Sequence, residues 1–312
     1  MSSEYRLILI DKNNDVYILK RCVSFTVEYE LYTPYSQLRA SFISEKSIAD
    51  KLTMINRLFL YVNGVYVHFG FTDSLTLTTS GSEKILNVQS RSFTLLLGQN
   101  QPKPGINSGV DLTSLIKNNL KSTFVLTEKD TPKVNYIYVK ENSTLWDAVT
   151  AYSLKANGFY PYIRGNTVCI TLNLTENIRI DTNFIERGES TDTVNMLSEI
   201  YMKDVDDNYS FHKVNSKAAD YNIERVKYYP LDRQWLSDSD IGLNGKINYS
   251  NRKISSSFFS YKGYNGERLM DTLSCPDSGL NGKRISRVII SAGKNQLITK
   301  IWCYNDYLSQ RK

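Results

Sequence analysis

The sequence predicts a β-rich α+β fold, in which strand-rich regions at both ends of the chain flank a smaller region with helices. Three observations indicate this organisation. Residues 23–29 alternate between apolar and polar side chains, which is the two-residue period of a half-buried strand. Between residues 101 and 182, two segments carry apolar side chains three and four positions apart, as amphipathic helices do. After residue 183 the pattern returns to short strands around polar turns.

The first region, residues 1–100, contains a β-hairpin centred on Asn63-Gly64. This dipeptide favours a type I′ turn, and it is flanked by the apolar runs 58–62 and 65–69. Both faces of the hairpin are apolar or aromatic, whereas an antiparallel sheet that faces water is polar on one side. We therefore expect these strands to be covered twice, once by their own core and once by another domain or subunit. A second hairpin is expected over residues 72–79 and 84–89.

The second region, residues 101–182, reads as a small α+β unit that opens with a Pro- and Gly-rich segment. Asp111 can cap a helix with Leu112, Leu115, Ile116 and Leu120 on one face. Thr144 and Asp147 form a capping box for a second helix, which Gly158 ends. A hairpin is expected next, over residues 159–163 and 168–172.

The third region, residues 183–312, is expected to contain two strand pairs. The first pair, residues 195–203 and 209–214, flanks a polar turn. The second pair covers residues 285–290 and 297–304. The motif Gly-Leu-Asn-Gly-Lys occurs at 242–246 and again at 279–283, and both copies are predicted to be tight Asn-Gly turns between strands.

Composition limits the classes of protein that fit. The chain has 312 residues, 41% of them hydrophobic and 22% charged, which excludes a disordered chain. We find no apolar run long enough to span a membrane and no signal peptide, so we expect assembly in a cytoplasm. Four widely spaced cysteines indicate free thiols. The net charge of +6 is scattered, which permits an acidic partner without arguing for one, and 22 tyrosines favour strands and half-exposed interfaces.

Motifs for catalysis, cofactors and metals are absent or incomplete. The only histidines are His68, expected to pack in a strand, and His212, expected to be solvated; a Cys–His pair stays open as an alternative. Gly282-Lys283 resembles the end of a phosphate-binding loop, but Asp277 stands where that loop needs glycine. Residues 204–208 match the first calcium-loop ligands and then diverge, so a polar turn is the better interpretation. We expect no catalytic residue, cofactor or metal, and no specific nucleic-acid binding.

Several segments resemble one family. Residues 143–149 and 157–162 combine a Ser/Thr cap, Trp-Asp, an apolar helix face and Gly-Phe before a strand. The hairpin at Asn63-Gly64 leads to Phe69-Gly70-Phe71, and a polar-then-leucine segment follows at residues 90–96. In these features the chain resembles the baseplate hub proteins of contractile phage tails and phage-tail-like bacteriocins, the Mu-type and PBSX-type hubs related to the late control D proteins. The serine- and tyrosine-rich segment 248–264 has no counterpart in that pattern.

The resemblance implies a fold of two small tube-type β-barrel domains, residues 1–100 and 183–312, with the α+β unit 101–182 as an insertion between them. It also implies a homotrimer whose six barrels continue the hexameric tail tube and whose far end holds a trimeric spike. The implied partners are the chain itself, a tail tube or tube-initiator protein, the central spike protein and baseplate wedge proteins, with no membrane. Such a protein is assembled in the bacterial cytoplasm and is released as part of a virion or bacteriocin particle.

The leading hypothesis is therefore a structural hub without catalysis, whose function lies in its interfaces. Phe59, Tyr61, Tyr66 and His68 are predicted to form an outer-face patch of the hairpin that meets a neighbouring subunit. The alternative is that the α+β unit of the same chain covers these side chains. Two other functions remain open: a tail-tip protein that binds or hydrolyses cell wall with an Asp/Glu pair, and the hub of a non-contractile tail.

Overall fold

The protein contains twenty-one strands and five α-helices in the residues that the computed structural model describes, which are 3–44, 46–275, 280–293 and 296–305. The strands are β1 Tyr5–Asp11, β2 Val16–Leu19, β3 Cys22–Glu30, β4 Gln37–Ser44, β5 Ile55–Val62, β6 Val65–Ser80, β7 Glu83–Ser92, β8 Gly105–Val110, β9 Leu126–Thr127, β10 Val134–Val139, β11 Tyr162–Arg164, β12 Thr167–Cys169, β13 Asn177–Arg179, β14 Phe184–Ser190, β15 Glu199–Met202, β16 Phe211–Val214, β17 Val226–Tyr229, β18 Ser256–Lys262, β19 Thr272–Ser274, β20 Arg287–Gly293 and β21 Gln296–Tyr304. The helices are α1 Leu96–Gln99, α2 Leu112–Asn119, α3 Leu145–Asn157, α4 Ser216–Asp220 and α5 Ser239–Asn251, with 3₁₀ turns at Lys46–Met54, Phe93–Leu95 and Arg233–Trp235.

One antiparallel sheet of eleven strands joins the two ends of the chain. Its order is β14-β18-β21-β20-β3-β4-β7-β6-β5-β1-β2. The N-terminal and C-terminal strands meet where β3 pairs with β20, with Val27 opposite Ile290. This pairing makes the strand-rich regions at the two ends parts of a single sheet, whose edges are β2 and β14.

The sheet buries one core that draws on both ends of the chain. In β4, Leu38, Ala40 and Phe42 are buried on alternate positions, as the two-residue period of a strand requires. Val288 and Ile301, from the C-terminal strands, belong to the same core. Burying a side chain of this size stabilises the fold by about 1.5–3 kcal/mol. The two ends therefore depend on each other for stability.

The α+β unit of residues 101–182, called the helical unit below, has a second core of its own. Leu115 of α2 and Val149 of α3 pack there against Ile137 of β10. Met202 of β15 and Leu243 of α5 complete the core, so its apolar contacts extend well beyond residue 182. Two three-stranded sheets, with the orders β11-β12-β9 and β16-β15-β17, contribute residues to this core.

The predicted helix caps are confirmed. The Asp111 carboxylate accepts a hydrogen bond from the Ser114 backbone N–H at 2.8 Å at the start of α2. The Thr144 hydroxyl and the Asp147 carboxylate form a reciprocal capping box at the start of α3. Gly158 ends that helix with a left-handed φ of 76°, which glycine adopts without steric cost.

The hairpin at Asn63-Gly64 is also confirmed. Both residues have positive φ, 50° and 81°, as a type I′ turn demands. Its second strand, β6, runs on to Ser80 and so forms the predicted second hairpin with β7. Where Gly70 of β6 pairs with Ser92 of β7, a Cβ on Gly70 would lie 2.0 Å from the Arg91 carbonyl oxygen, so only glycine fits there.

The prediction of a turn at residues 242–246 is wrong, because this segment lies in the middle of α5. Its two glycines serve close packing instead. A Cβ on Gly242 would lie 2.4 Å from Trp235 Cγ, and one on Gly245 would lie 3.1 Å from Leu154 Cδ1. The other copy of the motif is a turn, since the Lys283 N–H donates to the Leu280 carbonyl at 3.0 Å. Gly279 and Asp277 lie outside the described residues.

The remaining predicted strand pairs are confirmed with shifted ends. They are β11 with β12, β15 with β16, and β20 with β21. β15 also has a parallel partner, β17, which the sequence analysis did not predict. None of the helices in the described ranges is both long enough and apolar enough to cross a membrane.

Candidate assembly surface

The predicted interface residues Phe59, Tyr61, Tyr66 and His68 lie in the hairpin formed by β5 and β6. Along β5, Leu58 and Leu60 point into the core, so Phe59 and Tyr61 lie on the opposite face and are half-buried. Tyr66 is paired with Tyr61 across the strands and is 43% exposed. Three of the four predicted residues therefore share this face.

The helical unit covers part of this outer face with an aromatic cluster. Phe59 stacks on Phe69 with ring centroids 6.2 Å apart, and both rings contact Phe93. Phe124, which precedes β9 in the helical unit, stacks on Phe93 at 4.4 Å. Phe71 meets both of these rings edge-on. The same chain thus supplies much of the cover that the apolar hairpin requires, while Tyr66 remains at the rim.

Two further contacts define the rim around Tyr66. The turn between β11 and β12 approaches it closely, since a Cβ on Gly165 would lie 3.9 Å from the Tyr66 hydroxyl. The Arg268 guanidinium lies 5.9 Å from the centre of the Tyr66 ring. Tyr66 therefore lies where the large sheet, the helical unit and the segment that contains Arg268 and Asp271, called the C-terminal segment below, meet. An interface role for Phe59, Tyr61 and Tyr66 stays a prediction.

His68 does not share the outer face, and this corrects its place in the predicted patch. A β-bulge between the pairs Leu60–His68 and Tyr61–Tyr66 turns the ring inward, where it is 1% exposed. Its Nδ1 and Nε2 lie 2.9 Å from the hydroxyl oxygens of Ser36 and Ser90. Burial lowers the pKa of His68 to about 3, so the ring is neutral at neutral pH. His68 packs inside the chain and offers no surface to a neighbour.

A buried ion pair joins the helical unit to the C-terminal segment. The Arg164 guanidinium, at the end of β11, lies 2.5 Å from the Asp271 carboxylate, and the two side chains are 5% and 0% exposed. The second oxygen of Asp271 accepts a hydrogen bond from the Arg268 N–H at 3.0 Å. Burial raises the pKa of Asp271, while the hydrogen bond from Glu176 and the charge of Arg164 act in the opposite direction. No sequence motif signals this pair, because its members are 107 positions apart.

Glu267 is a second buried acid near the same junction. Its side chain accepts hydrogen bonds from the Tyr261 hydroxyl and the Asn265 N–H, and it is 0% exposed. Burial raises the pKa of Glu267 to about 7. The carboxyl group is closed off from solvent, so no substrate reaches it in this conformation.

The thiols and the second histidine do not form a nucleophilic pair in the described part of the chain. None of the four cysteines forms a disulfide, and burial raises the pKa of Cys22 to about 11 and those of Cys169 and Cys303 to about 12, so these three thiols stay protonated. His212 is exposed as expected, with Nε2 3.1 Å from the Glu199 carboxylate. Within the described ranges, no three His, Cys, Asp or Glu side chains are placed to hold a metal ion.

The polar turn at residues 204–208, which begins like a calcium loop in sequence, is held together by its own hydrogen bonds. The Asp204 carboxylate accepts from the N–H groups of Asp206 and Asn208, at 2.9 and 3.0 Å, and from the Ser210 hydroxyl. The hydrogen bond from the Ser210 hydroxyl is the largest cause that lowers the pKa of Asp204, and the two backbone hydrogen bonds lower it further. The interpretation as a turn between β15 and β16 is confirmed.

Comparison with known proteins identifies the fold. No protein-family model and no curated protein matches the sequence. Among solved structures, a tail protein from Neisseria meningitidis MC58 superposes with a TM-score of 0.70 over 98% of this chain and 98% of that chain, at 11% identity. The 43 kDa tail protein of prophage MuSo2 from Shewanella oneidensis gives 0.69 over 97% and 98%, at 12% identity. A Francisella PdpA-VgrG complex gives 0.57, with 98% of this chain and 58% of that chain covered, at 11% identity.

These likenesses establish a shared fold over almost the whole chain. Because the identities are 11–12%, they establish nothing finer. The resemblance to tail-type hub proteins is confirmed at the level of the fold, and so is the β-rich α+β class.

Proposed function

We propose that this chain is the structural baseplate hub of a contractile tail or tail-like bacteriocin, a trimeric adaptor that joins the hexameric tail tube to the trimeric spike and nucleates tube assembly. One observation carries the proposal: the chain shares its fold with two tail proteins, one of them from a prophage, over nearly the full length of both chains in each comparison. The proposal assigns no catalytic residue.

The shared sheet gives a physical basis for joining a hexameric tail tube to a trimeric spike. In the proposal, residues 1–100 and 183–312 are two tube-type β-barrel domains, and residues 101–182 are inserted between them. Because β3 pairs with β20, the two β-rich ends are held side by side in one chain. Three such chains would offer six similar positions, which is what a trimer needs to meet a hexameric ring.

Both edges of the sheet suit contacts between copies. β2 and β14 have a strand on one side only, so each has a row of backbone groups that another strand can bind. Val16 and Ile18 on β2 are 56% and 49% exposed, and Ile185 on β14 is 51% exposed. Apolar side chains at open edges favour burial by a neighbouring chain over solvent exposure.

The proposed partners follow from this arrangement. They are other copies of the chain, a tail tube or tube-initiator protein, the central spike protein and baseplate wedge proteins. The finished particle would be assembled in the bacterial cytoplasm and released as a virion or bacteriocin. Phe59, Tyr61 and Tyr66 are proposed to meet a neighbouring subunit at the rim of the aromatic cluster.

Light scattering after size exclusion tests the hub proposal. We expect a particle of three times the 35.8 kDa chain mass, either alone at high concentration or after the spike protein is added. A chain that stays monomeric at every concentration and ignores the spike protein would overturn the proposal.

A further inference from the structure

A strongly basic cleft lies between the strand β17 and the C-terminal half of α5. Its volume is about 370 Å³. Four cationic side chains line it, and no carboxylate does: Arg225, Lys227, Lys246 and Arg252. We call this surface the basic cleft.

The four cations have no acidic partner among the described residues, although neighbouring lysines do. Lys253, next in the chain to Arg252, lies 2.5 Å from the Glu30 carboxylate. Lys140 lies 2.6 Å from the Asp232 carboxylate. None of the four cleft cations lies within 4.0 Å of a carboxylate oxygen of a described residue. No close ion pair with a described residue therefore offsets the positive charge of the cleft, and Asp232 acts only on Lys246, from beyond that distance.

Neutral acceptors hold the two arginines in place. Arg225 Nη1 donates to the backbone carbonyls of Val194 and Met196, at 2.6 and 3.0 Å. Arg252 Nη1 donates to the Tyr249 carbonyl at 2.7 Å, and its guanidinium lies 3.9 Å from the centre of the Tyr249 ring. Carbonyls and an aromatic ring orient a guanidinium without cancelling its charge, so both groups are positioned in advance for an anion.

The two lysines share one aromatic ring. The ammonium groups of Lys246 and Lys227 lie 4.2 and 5.2 Å from the centre of the Tyr229 ring. Burial lowers the pKa of Lys246, the charge of Asp232 opposes this, and the positive charges of Lys140 and Lys227 lower it further. An anion bound in the cleft would relieve this repulsion between like charges.

β17 also has an open backbone edge beside the cleft. It pairs with β15 only, and the carbonyls of Arg225 and Tyr229 face that side, where they accept from the N–H groups of Ser198 and Lys203. Because backbone groups alternate along a strand, those of Val226 and Tyr228 point away from β15. These two residues are 48% and 58% exposed. An extended segment can therefore add to β17 as a further strand.

We propose that the basic cleft binds an extended acidic segment of a neighbouring polypeptide. Its backbone pairs with the outer edge of β17, and its carboxylates reach Lys227, Lys246 and Arg252. Nucleic acid also supplies anions, but a sugar-phosphate backbone cannot continue a β-ladder, so the open edge favours a peptide. The inference does not depend on the hub proposal, because binding is measured on the isolated chain.

Fluorescence anisotropy with the full chain tests this inference. The probe is a short labelled peptide of alternating glutamate and threonine, and glutamine replaces glutamate in the matched peptide. We expect the acidic peptide to bind at least about tenfold more tightly than the glutamine peptide, and binding to weaken as salt is added. Lys227→Glu and Arg252→Glu should each weaken binding by about tenfold or more. Lys121→Glu makes the same charge change on an exposed lysine outside the cleft and should leave affinity unchanged.

Four results would overturn the proposal. Equal binding of the glutamine peptide would remove the role of charge, and an equal loss in Lys121→Glu would reduce that role to net charge alone. Tighter binding of a labelled oligothymidylate would assign the cleft to nucleic acid. An acidic peptide that is N-methylated at alternate residues should bind weakly, and unchanged affinity would refute pairing with β17. Circular dichroism checks that each variant is folded, and Lys227→Glu alters an exposed side chain, so it keeps the test valid if Arg252→Glu does not fold.

Discussion

Arg164 and Asp271 form an ion pair from which solvent is almost completely excluded, and the pair connects β11, the first strand of the β11–β12 hairpin, to the C-terminal segment. Each charge depends on the other, because an unpaired charge at this depth is costly. The junction therefore joins the helical unit to the segment before β19 through an ion pair as well as through apolar contacts with Leu269 and Met270.

Removing one member of this pair should destabilise the protein strongly. Arg164→Met leaves the Asp271 carboxylate buried without a counter-charge, and we expect a loss of about 3–5 kcal/mol in the free energy of unfolding. Urea denaturation measures this loss. The double variant with Asp271→Leu should recover much of it, since no charge then remains buried. If the double variant were as unstable as Arg164→Met, packing rather than charge would explain the loss.

The shifted pKa values of Glu267 and His68 should give opposite dependences of stability on pH. Glu267 has a folded pKa of about 7, above its usual 4.5, so the folded state binds more protons and stability falls as pH rises between these values. His68 has a folded pKa of about 3, below its usual 6.5, so the unfolded state binds more protons and stability falls as pH drops through that window. In the wild type, the two effects oppose each other between about pH 4.5 and 6.5.

Two variants separate these effects. In Glu267→Gln, the fall in stability from pH 4.5 towards 7 should disappear, and the rise due to His68 should become steeper. In His68→Gln, the fall due to Glu267 should stand alone and amount to up to about 3 kcal/mol. Thermal or urea unfolding across pH 4–8 measures both. Identical pH profiles for wild type and Glu267→Gln would contradict the raised pKa of Glu267.

Gly70→Ala should destabilise the large sheet. The new Cβ would lie 2.0 Å from the Arg91 carbonyl oxygen, so β6 and β7 must separate, at a cost of about 1–3 kcal/mol. Gly98→Ala is a matched control, because its Cβ meets a proline side-chain carbon at 3.4 Å, an ordinary contact, and Gly98 lies in a helix. Equal melting temperatures of the two variants would show that β6 and β7 can pair at this position without glycine.

Gly242→Ala should also destabilise, although alanine is the better helix former. The added Cβ would lie 2.4 Å from Trp235 Cγ, and the clash should outweigh a gain of about 1 kcal/mol in helix propensity. Asn244→Ala, at an exposed position of the same helix, should be neutral or stabilising. Denaturation midpoints compare the two, and a more stable Gly242→Ala variant would mean that α5 can shift away from Trp235.

Tyr66→Glu should separate assembly from folding. The side chain is 43% exposed at the rim of the aromatic cluster, so we expect a loss of stability below about 1 kcal/mol together with loss of the proposed trimer. Tyr228→Glu, also at an exposed tyrosine, should leave the trimer mass unchanged. Light scattering and melting curves are recorded in parallel. If Tyr66→Glu unfolds whenever it fails to assemble, the rim belongs to the core and the interface role is lost.

The sequence by itself determined the features that depend on neighbouring residues. The type I′ turn at Asn63-Gly64 and the capping box of Thr144 and Asp147 are made by contacts within three positions, so their residue types predict them directly. The alternation in β3 likewise predicted a half-buried strand. These local features were enough to indicate a β-rich α+β fold and its resemblance to tail proteins.

Only the tertiary structure decided which distant segments meet. The same motif Gly-Leu-Asn-Gly-Lys is helical at 242–246, where its two glycines pack α5 against Trp235 and Leu154, whereas residues 280–283 of the other copy form a turn. The bulge that turns His68 inward depends on its pairing with β5. The pair Arg164–Asp271, the union of β3 with β20 and the basic cleft each join residues that are far apart in the chain, and local propensity carries no information about such encounters.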